Sequence, residues 1–418
     1  MRDYLNALSA LGRDARLALL SAAVLGFAVY GGIYFLLLNL YLLRLGYDAA
    51  FVGRINAVGQ LAYVACTIPA GLVGSRWGSR RAMALGMGLA GLGLILLPCG
   101  EFLALASPAR WLEGTYALGF MGIGMYIVNI NPYLAGATTP EHRSHAYSAQ
   151  IALWPLAGFC GSLLGGFLPG LFERALGLPP GDAAGYRYAL VLAAAMLLAG
   201  AAAVTRAGDA DAEHQRAPRT GKGAMPVLLI VSVGLLCVLQ TGAEMANRVF
   251  YNVYMDRGAG ASTEVIGLFA AAGQLLAVPV ALAATAAAAR FGRVATVVAG
   301  SLAMALAVVP AALAPHWLAV GGSCMAVIAA SSLRRPIVIL FQQEVVAPRW
   351  RVAMSTITTM AAGVSASLVA LAGGYLISAA GFTPLYLGCA AASVLGALGF
   401  AWAFGRRDAR VEGASAPP

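Results

Sequence analysis

The sequence predicts an all-α integral membrane protein with twelve transmembrane helices in two pseudo-symmetric six-helix bundles. Three observations predict it. Of 418 residues, 60% are hydrophobic and 11% charged, more apolar surface than one soluble core can hide, so a bilayer is the natural solvent. The apolar residues fall in runs close to the ~20 residues that cross a bilayer. Finally, Asn39-Leu40-Tyr41, Arg44, Val52-Gly53, Gly59-Gln60-Leu61 and Arg76-Trp77-Gly78 recur as Asn252-Val253-Tyr254, Arg257, Ile266-Gly267, Gly273-Gln274-Leu275 and Arg290-Phe291-Gly292. The offset is 213 for the first group and 214 for the rest. Two related halves of apolar helices are how many carriers build alternating access.

In chain order, the first run begins near Leu17 and carries Tyr30, Tyr34 and Asn39; the second, from Ala50, carries Asn56 and Gln60. The third starts at Ala82, and its boundary with the fourth, between Pro98 and Arg110, is the least marked. The fourth, from Trp111, holds Asn129 and Asn131-Pro132; the fifth, from Ala146, holds Gln150 and Trp154; the sixth starts at Tyr188. The second set begins at Pro226, Glu264, Val294, Trp317, Ala353 and Thr383. Residues 1–205 form the first bundle and 226–405 the second, with a tail at 406–418 expected to be disordered from Val411 onward. The mixed-charge, Gly- and Pro-containing stretch 206–225 reads as a flexible linker.

An even number of spans puts both termini on one side. Loops on that side carry Arg76, Arg80, Arg81, Arg143, Arg206, Arg216, Arg219, Lys222, Arg290, Arg293, Arg349 and Arg351, whereas the opposite side carries few basic residues, Arg44, Arg54 and Arg257 among them. The positive-inside rule makes the first side and both termini cytoplasmic. The expected setting is a multi-pass protein of a bacterial inner (plasma) membrane, monomeric and without a cleaved signal peptide. The net charge of +10 is then topology, and no nucleic-acid partner is expected. The six cysteines lie in or at the ends of apolar runs without a C-x-x-C pair, so neither a metal site nor a disulfide framework is suggested. No P-loop and no H-x-x-x-H spacing occurs. Neither enzyme chemistry nor a cofactor is expected.

Gly71-Leu72-Val73-Gly74-Ser75-Arg76-Trp77-Gly78-Ser79-Arg80-Arg81 resembles the G-x-x-x-D-R-x-G-R-R signature of the major facilitator superfamily, with Gly71, Arg76, Gly78 and Arg80 in register. Ser75 stands where the family has its acid, which there helps latch the cytoplasmic side. Arg290, Gly292 and Arg293 form a degenerate second copy. A second register, at offset 208, relates Pro140, Arg143 and Gly165-Gly166 to Pro348, Arg351 and Gly373-Gly374. Gly161–Gly166 partly resembles the G-P-x-x-G-G element of drug and antiport carriers, with Ser162 in place of the proline. Close helix packing is the plainer reading of these glycines. The resemblance implies that helices one, four, seven and ten line a central cavity.

Polar groups in hydrocarbon are costly, so those inside the runs are the candidates for function. The seventh run carries Gln240, Glu244, Asn247 and Arg248, of which Gln240, Glu244 and Arg248 share one helix face. Glu244 either pairs with Arg248 or takes up the coupling proton, with Arg248 modulating it. In the tenth run Arg334 and Arg335 point about 100° apart; Arg335 is favoured for the cavity and Arg334 for a neighbouring helix. Arg335-Pro336 and Asn131-Pro132 predict interrupted helices with polar groups at the break. Asn129, Trp154, Tyr30 and Tyr34 complete the candidate substrate site. Three basic groups among four buried charges tilt the substrate toward an anion. The reading is a secondary active transporter coupled to protons, moving a small organic solute. A multidrug exporter or lipid flippase, and a non-transporting sensor or scaffold, remain open alternatives.

Overall fold

The computed structural model describes residues 11–104, 106–210, 226–347 and 350–415. The part of the linker from 211 to 225 and the end of the tail, 416–418, lie outside them. The described elements are helical: α1 (Arg13–Ala28), α2 (Ile33–Arg44), α3 (Ala49–Trp77), α4 (Ser79–Cys99), α5 (Pro108–Ala137), α6 (Pro140–Leu176) and α7 (Ala183–Thr205). They continue with α8 (Val227–Gln240), α9 (Gly242–Val253), α10 (Thr263–Phe291), α11 (Arg293–Ala307), α12 (Val309–Leu313), α13 (Trp317–Glu344), α14 (Arg351–Ala380) and α15 (Phe382–Ser415).

Among the described residues, eleven helical spans are long and apolar enough to cross a membrane. Here α1–α2 form one span, as do α8–α9 with the following turn and α11–α12. The 30-residue α5 is as long as the others and completes the expected twelve, its apolar character diluted by Asn129 and Asn131. Large apolar side chains point outward along these helices: Leu228 is 83% exposed, Leu282 75%, Leu306 74% and Trp402 86%. Such surfaces are disfavoured in water and natural against lipid tails.

Contacts divide the chain into two compact units. One holds Met1–Gln215 together with Thr263–Ala271, the other Arg216–Ser262 and Ala272–Pro418. In the first, glycines let backbones touch: a Cβ on Gly86 would lie 2.7 Å from Gly122 O, and one on Gly93 only 2.4 Å from Gly119 N. That close α4–α5 approach is the packing lipid-embedded helices use in place of a hydrophobic drive. In the second unit, Ile230, Val233, Val294, Val297, Ile337, Phe400 and Phe404 make a buried cluster. Phe341 meets the rings of Phe400 and Phe404 edge-on, each at 5.0 Å.

The structure corrects three expectations. The helices through Pro132 and Pro336 are continuous; a proline inside a span is tolerated where neighbouring helices hold the segment. The interruptions fall instead in the first span of each half, at Val29–Gly32 and at Thr241. The tail expected to be disordered from Val411 is helical through Ser415, because 406–415 contains no proline to stop a helix already nucleated upstream.

Candidate functional site

The two interruptions occupy neighbouring places in the repeat register. Ala28 and Thr241 are 213 residues apart, as are Gly31 and Glu244, the offset that relates the surrounding repeat. In the first unit Gly31 adopts φ 76°, a left-handed conformation that glycine enters without penalty, so α1 stops and α2 restarts. An interruption in hydrocarbon leaves backbone groups that must find partners. Ser162 Oγ lies within hydrogen-bonding distance of Gly31 O and 2.8 Å from Gly158 O. Gly161 lets α6 come close enough: a Cβ there would sit 2.2 Å from Phe27 O. Tyr30, inside the interruption, stacks on Trp154 with ring centroids 5.5 Å apart and planes 5° from parallel. The buried Nε1 of Trp154 has no acceptor among the described residues.

The second unit answers the same problem with other residues. Thr241 Oγ1 donates to Ser365 Oγ (2.9 Å), and Ser365 Oγ donates to Val238 O (2.9 Å). Ala243 N donates to Ser393 Oγ (3.2 Å), and Gln240 Nε2 to Gly396 O (3.1 Å). Residue 396 must be small, since a Cβ there would lie 2.8 Å from Gln240 N. The interruption is thus braced by α14 on one side and α15 on the other.

On this brace sits the charged group. Arg334 reaches from α13 to the α8–α9 span, donating through Nη1 to Gln240 Oε1 (3.2 Å) and through Nη2 to Glu244 Oε2 (3.3 Å). The Arg334 side chain is 4% exposed and that of Glu244 19%. Gly300 makes room for it, because a Cβ there would meet Arg334 Cβ at 2.9 Å. A buried guanidinium and carboxylate are tolerable in hydrocarbon only as partners. Arg335, one residue on, is exposed. The buried Asn247 donates to Cys324 Sγ at 3.6 Å, and Arg248 is half-buried on the Glu244 helix. Three of the predicted residues, Gln240, Glu244 and Arg334, are therefore in direct contact.

The first-unit candidates are placed differently. The Tyr34 hydroxyl donates to Leu94 O. Asn129 lies against Gly74 and donates to Met125 O (2.8 Å) and Ala70 O (3.1 Å). Both side chains thus join helices within the unit. Asn131 is exposed, with its carbonyl accepting from Tyr147 Oη at 3.1 Å.

At the motif between α3 and α4, Gly78 adopts φ 90°, and its repeat partner Gly292 φ 84°. Ser75 turns back to Leu72 O (2.9 Å). Arg80 instead finds its carboxylate after α7: its Nε is 2.7 Å from Asp209, and its Nη1 donates to Ala207 O (2.9 Å) and Thr205 O (3.3 Å). Asp14 accepts from Gly208 N (2.8 Å), and Tyr133 donates to Gly208 O (3.0 Å). A Cβ on Gly71 would lie 3.9 Å from Val128, Arg76 is exposed, Arg293 pairs with Glu344, and the exposed Arg290 lies over the Phe291 ring. Replacing Arg80 by alanine should free residues 206–210, so trypsin should cut after Arg206 several-fold faster; an unchanged cleavage rate would show that Asp14 and Tyr133 suffice.

Sequence reasoning does not reach the bracing role of Ser162, which it notes only in place of a motif proline, and it does not single out Ser365, Ser393, Gly396 or Asp209. The first four are small or hydroxyl residues in apolar runs, the residue types that satisfy backbone in a membrane. Their partners, however, lie 100 or more positions away.

A family model described as Major Facilitator Superfamily matches residues 18–243. No curated protein gives a significant match to the chain. Among solved structures, a D-xylose-proton symporter aligns over 95% of this chain and 97% of its own, at 14% identity and a TM-score of 0.75. The nucleoside transporter NupG aligns over 94% and 99%, at 16% identity and 0.73. A POT family transporter in complex with 5-aminolevulinic acid aligns over 92% and 95%, at 14% identity and 0.72.

Proposed function

The chain belongs to the major facilitator superfamily, and from that premise we propose that it is a proton-coupled secondary transporter for a small organic anion. The observation that carries the reading is the neighbourhood of Arg335. It lies 9 residues from the end of α13 at Glu344 and 18 from its start at Trp317, about 14 and 27 Å by helical rise. An exposed guanidinium at that depth is costly against lipid tails, which favours a water-filled space beside it. One residue away, Arg334 is buried on Glu244. A fixed cation open to water beside a buried, titratable ion pair has the parts for anion binding linked to proton uptake.

The roles follow from the chemistry. Arg335 offers a permanently charged, fork-shaped donor to a carboxylate or phosphate. Glu244 takes up the coupling proton, and Arg334 is the charge that responds to it. Transport proceeds by alternating access, with the basic loops, including the Arg80 clamp, facing the cytoplasm. The xylose-proton symporter and the aminolevulinate-bound transporter among the structural relatives support a small polar solute and proton coupling by fold analogy.

A thermal-shift screen of organic anions and cationic drugs against purified protein tests the substrate class. Organic anions should stabilise the protein, and Arg335→Ala should weaken the effective ones by about 1.5–3 kcal/mol, the worth of a hydrogen bond to a charged group, without lowering the unliganded melting temperature. Stabilisation by cations alone, or undiminished by Arg335→Ala, would remove Arg335 from the site.

A further inference from the structure

Gln240 sits where the arginine, the carboxylate and the helix interruption meet, and its amide orientation is fixed. Its Nε2 donates to Gly396 O at 3.1 Å, a bond only the amide nitrogen can make. Its Oε1 is therefore turned toward Arg334, whose Nη1 donates to it at 3.2 Å. Gln240 is itself 2% exposed. Arg334 consequently has two side-chain acceptors, one neutral and constant, the other a carboxylate that can be protonated. It has little else, since its buried Nε meets no acceptor among the described residues.

We propose that Gln240 is a positioning residue that keeps Arg334 hydrogen-bonded while Glu244 is protonated. This inference rests on the reading of Glu244 as the proton carrier. When Glu244 gains a proton, the guanidinium loses its counter-charge and needs an acceptor that does not titrate; the Gln240 carbonyl is in place to be that acceptor. Without it, protonating Glu244 strands a buried cation, so the proton binds more weakly. Among the described residues, the side chains that accept from Arg334 are Gln240 and Glu244. Helix α13 brings Arg334, Arg335, Cys324 and, at its end, Glu344, α8 brings Cys237, and α9 brings Arg248 and Tyr251, while α15 up to Gly405 brings Tyr386 and Cys389. The titratable groups of α11 and α14 are Arg293, Arg351 and Tyr375, and the turn after α9 carries Tyr254, Asp256 and Arg257. The carboxylate that meets Arg334 is Glu244.

The test uses the full chain in lipid membranes and the proton itself as the probe. Infrared difference spectra across a pH series report the carbonyl stretch of a protonated carboxyl group, and the part lost in Glu244→Gln belongs to Glu244. In Gln240→Met, which keeps bulk but cannot accept as the amide does, the midpoint of that band should move to lower pH by about one unit, a tenfold loss of proton affinity. In Gln240→Glu a second carboxylate beside Arg334 should make proton uptake begin at higher pH, so the sign of the shift is tested even if the methionine variant fails to fold. A band that Glu244→Gln removes but whose midpoint neither Gln240 variant moves would refute the role of Gln240 alone. A spectrum unaltered by Glu244→Gln would refute the proton-carrier reading and this inference with it.

Discussion

Replacing Glu244 by glutamine should abolish accumulation of substrate driven by a pH gradient, while exchange of labelled for unlabelled substrate across the membrane continues. Glutamine keeps the side chain's length and an oxygen for Arg334 Nη2, which now lies 3.3 Å from Glu244 Oε2, but it can neither lose nor gain the proton. The variant is thus locked in a mimic of the protonated state. A carrier so locked can still rock with substrate bound, but it has no second ion to couple. The measurement is uptake in proteoliposomes with and without an imposed pH gradient, set beside counterflow at equal pH. Wild type should concentrate substrate several-fold and the variant only equilibrate it. Retained pH-driven accumulation would return Glu244 to a purely structural pairing with its arginine neighbours.

Replacing Arg334 by methionine should have the largest effect on stability. Arg334 is 4% exposed and joins α13 to both halves of the interrupted span through Glu244 and Gln240. Removing one member of a buried pair leaves an uncompensated charge and typically costs about 3–5 kcal/mol. The lower end applies here, because Glu244 retains 19% exposure. The destabilisation should be greatest at alkaline pH and shrink as pH falls and Glu244 takes up a proton. Adding Glu244→Leu should restore most of the stability, since an apolar pair of similar size is tolerated, yet leave transport uncoupled from pH. Thermal unfolding at several pH values checks the first claim, and the double variant separates architecture from coupling. A stability loss independent of pH would mean that Arg334 matters through packing alone.

The architecture was legible because a bilayer imposes it. Twelve runs near the spanning length, a repeat at a constant offset and arginines gathered on alternate loops are consequences of solvent, duplication and insertion, each local in sequence. The motif glycines were legible for the same reason, Gly78 and Gly292 being repeat partners that both adopt positive φ. The site was legible only in part. Spacing along one helix put Gln240 and Glu244 on the same face, but it offered Arg248 as the partner, because Arg248 is the charge within reach on that helix. Arg334 comes from 90 residues further on, and only tertiary packing, with Gly300 giving it room, brings it there. Pro132 and Pro336 are the strongest local breakers, yet the interruptions lie at Gly31 and Thr241. What permits those is a set of distant hydroxyls, Ser162, Ser365 and Ser393, supporting the backbone from neighbouring helices. Proline is a local signal; a braced interruption is a tertiary one.

Proton-coupled carriage is tested most directly by flux. The purified chain, reconstituted into vesicles containing a pH-sensitive dye, would be given the organic anion that stabilises it best, under an imposed pH gradient. The expected result is saturable substrate flux accompanied by proton movement through the membrane, with accumulation lost when a protonophore collapses the gradient. Binding of that anion with no flux would contradict carriage, and saturable flux indifferent to the gradient would contradict its coupling to protons.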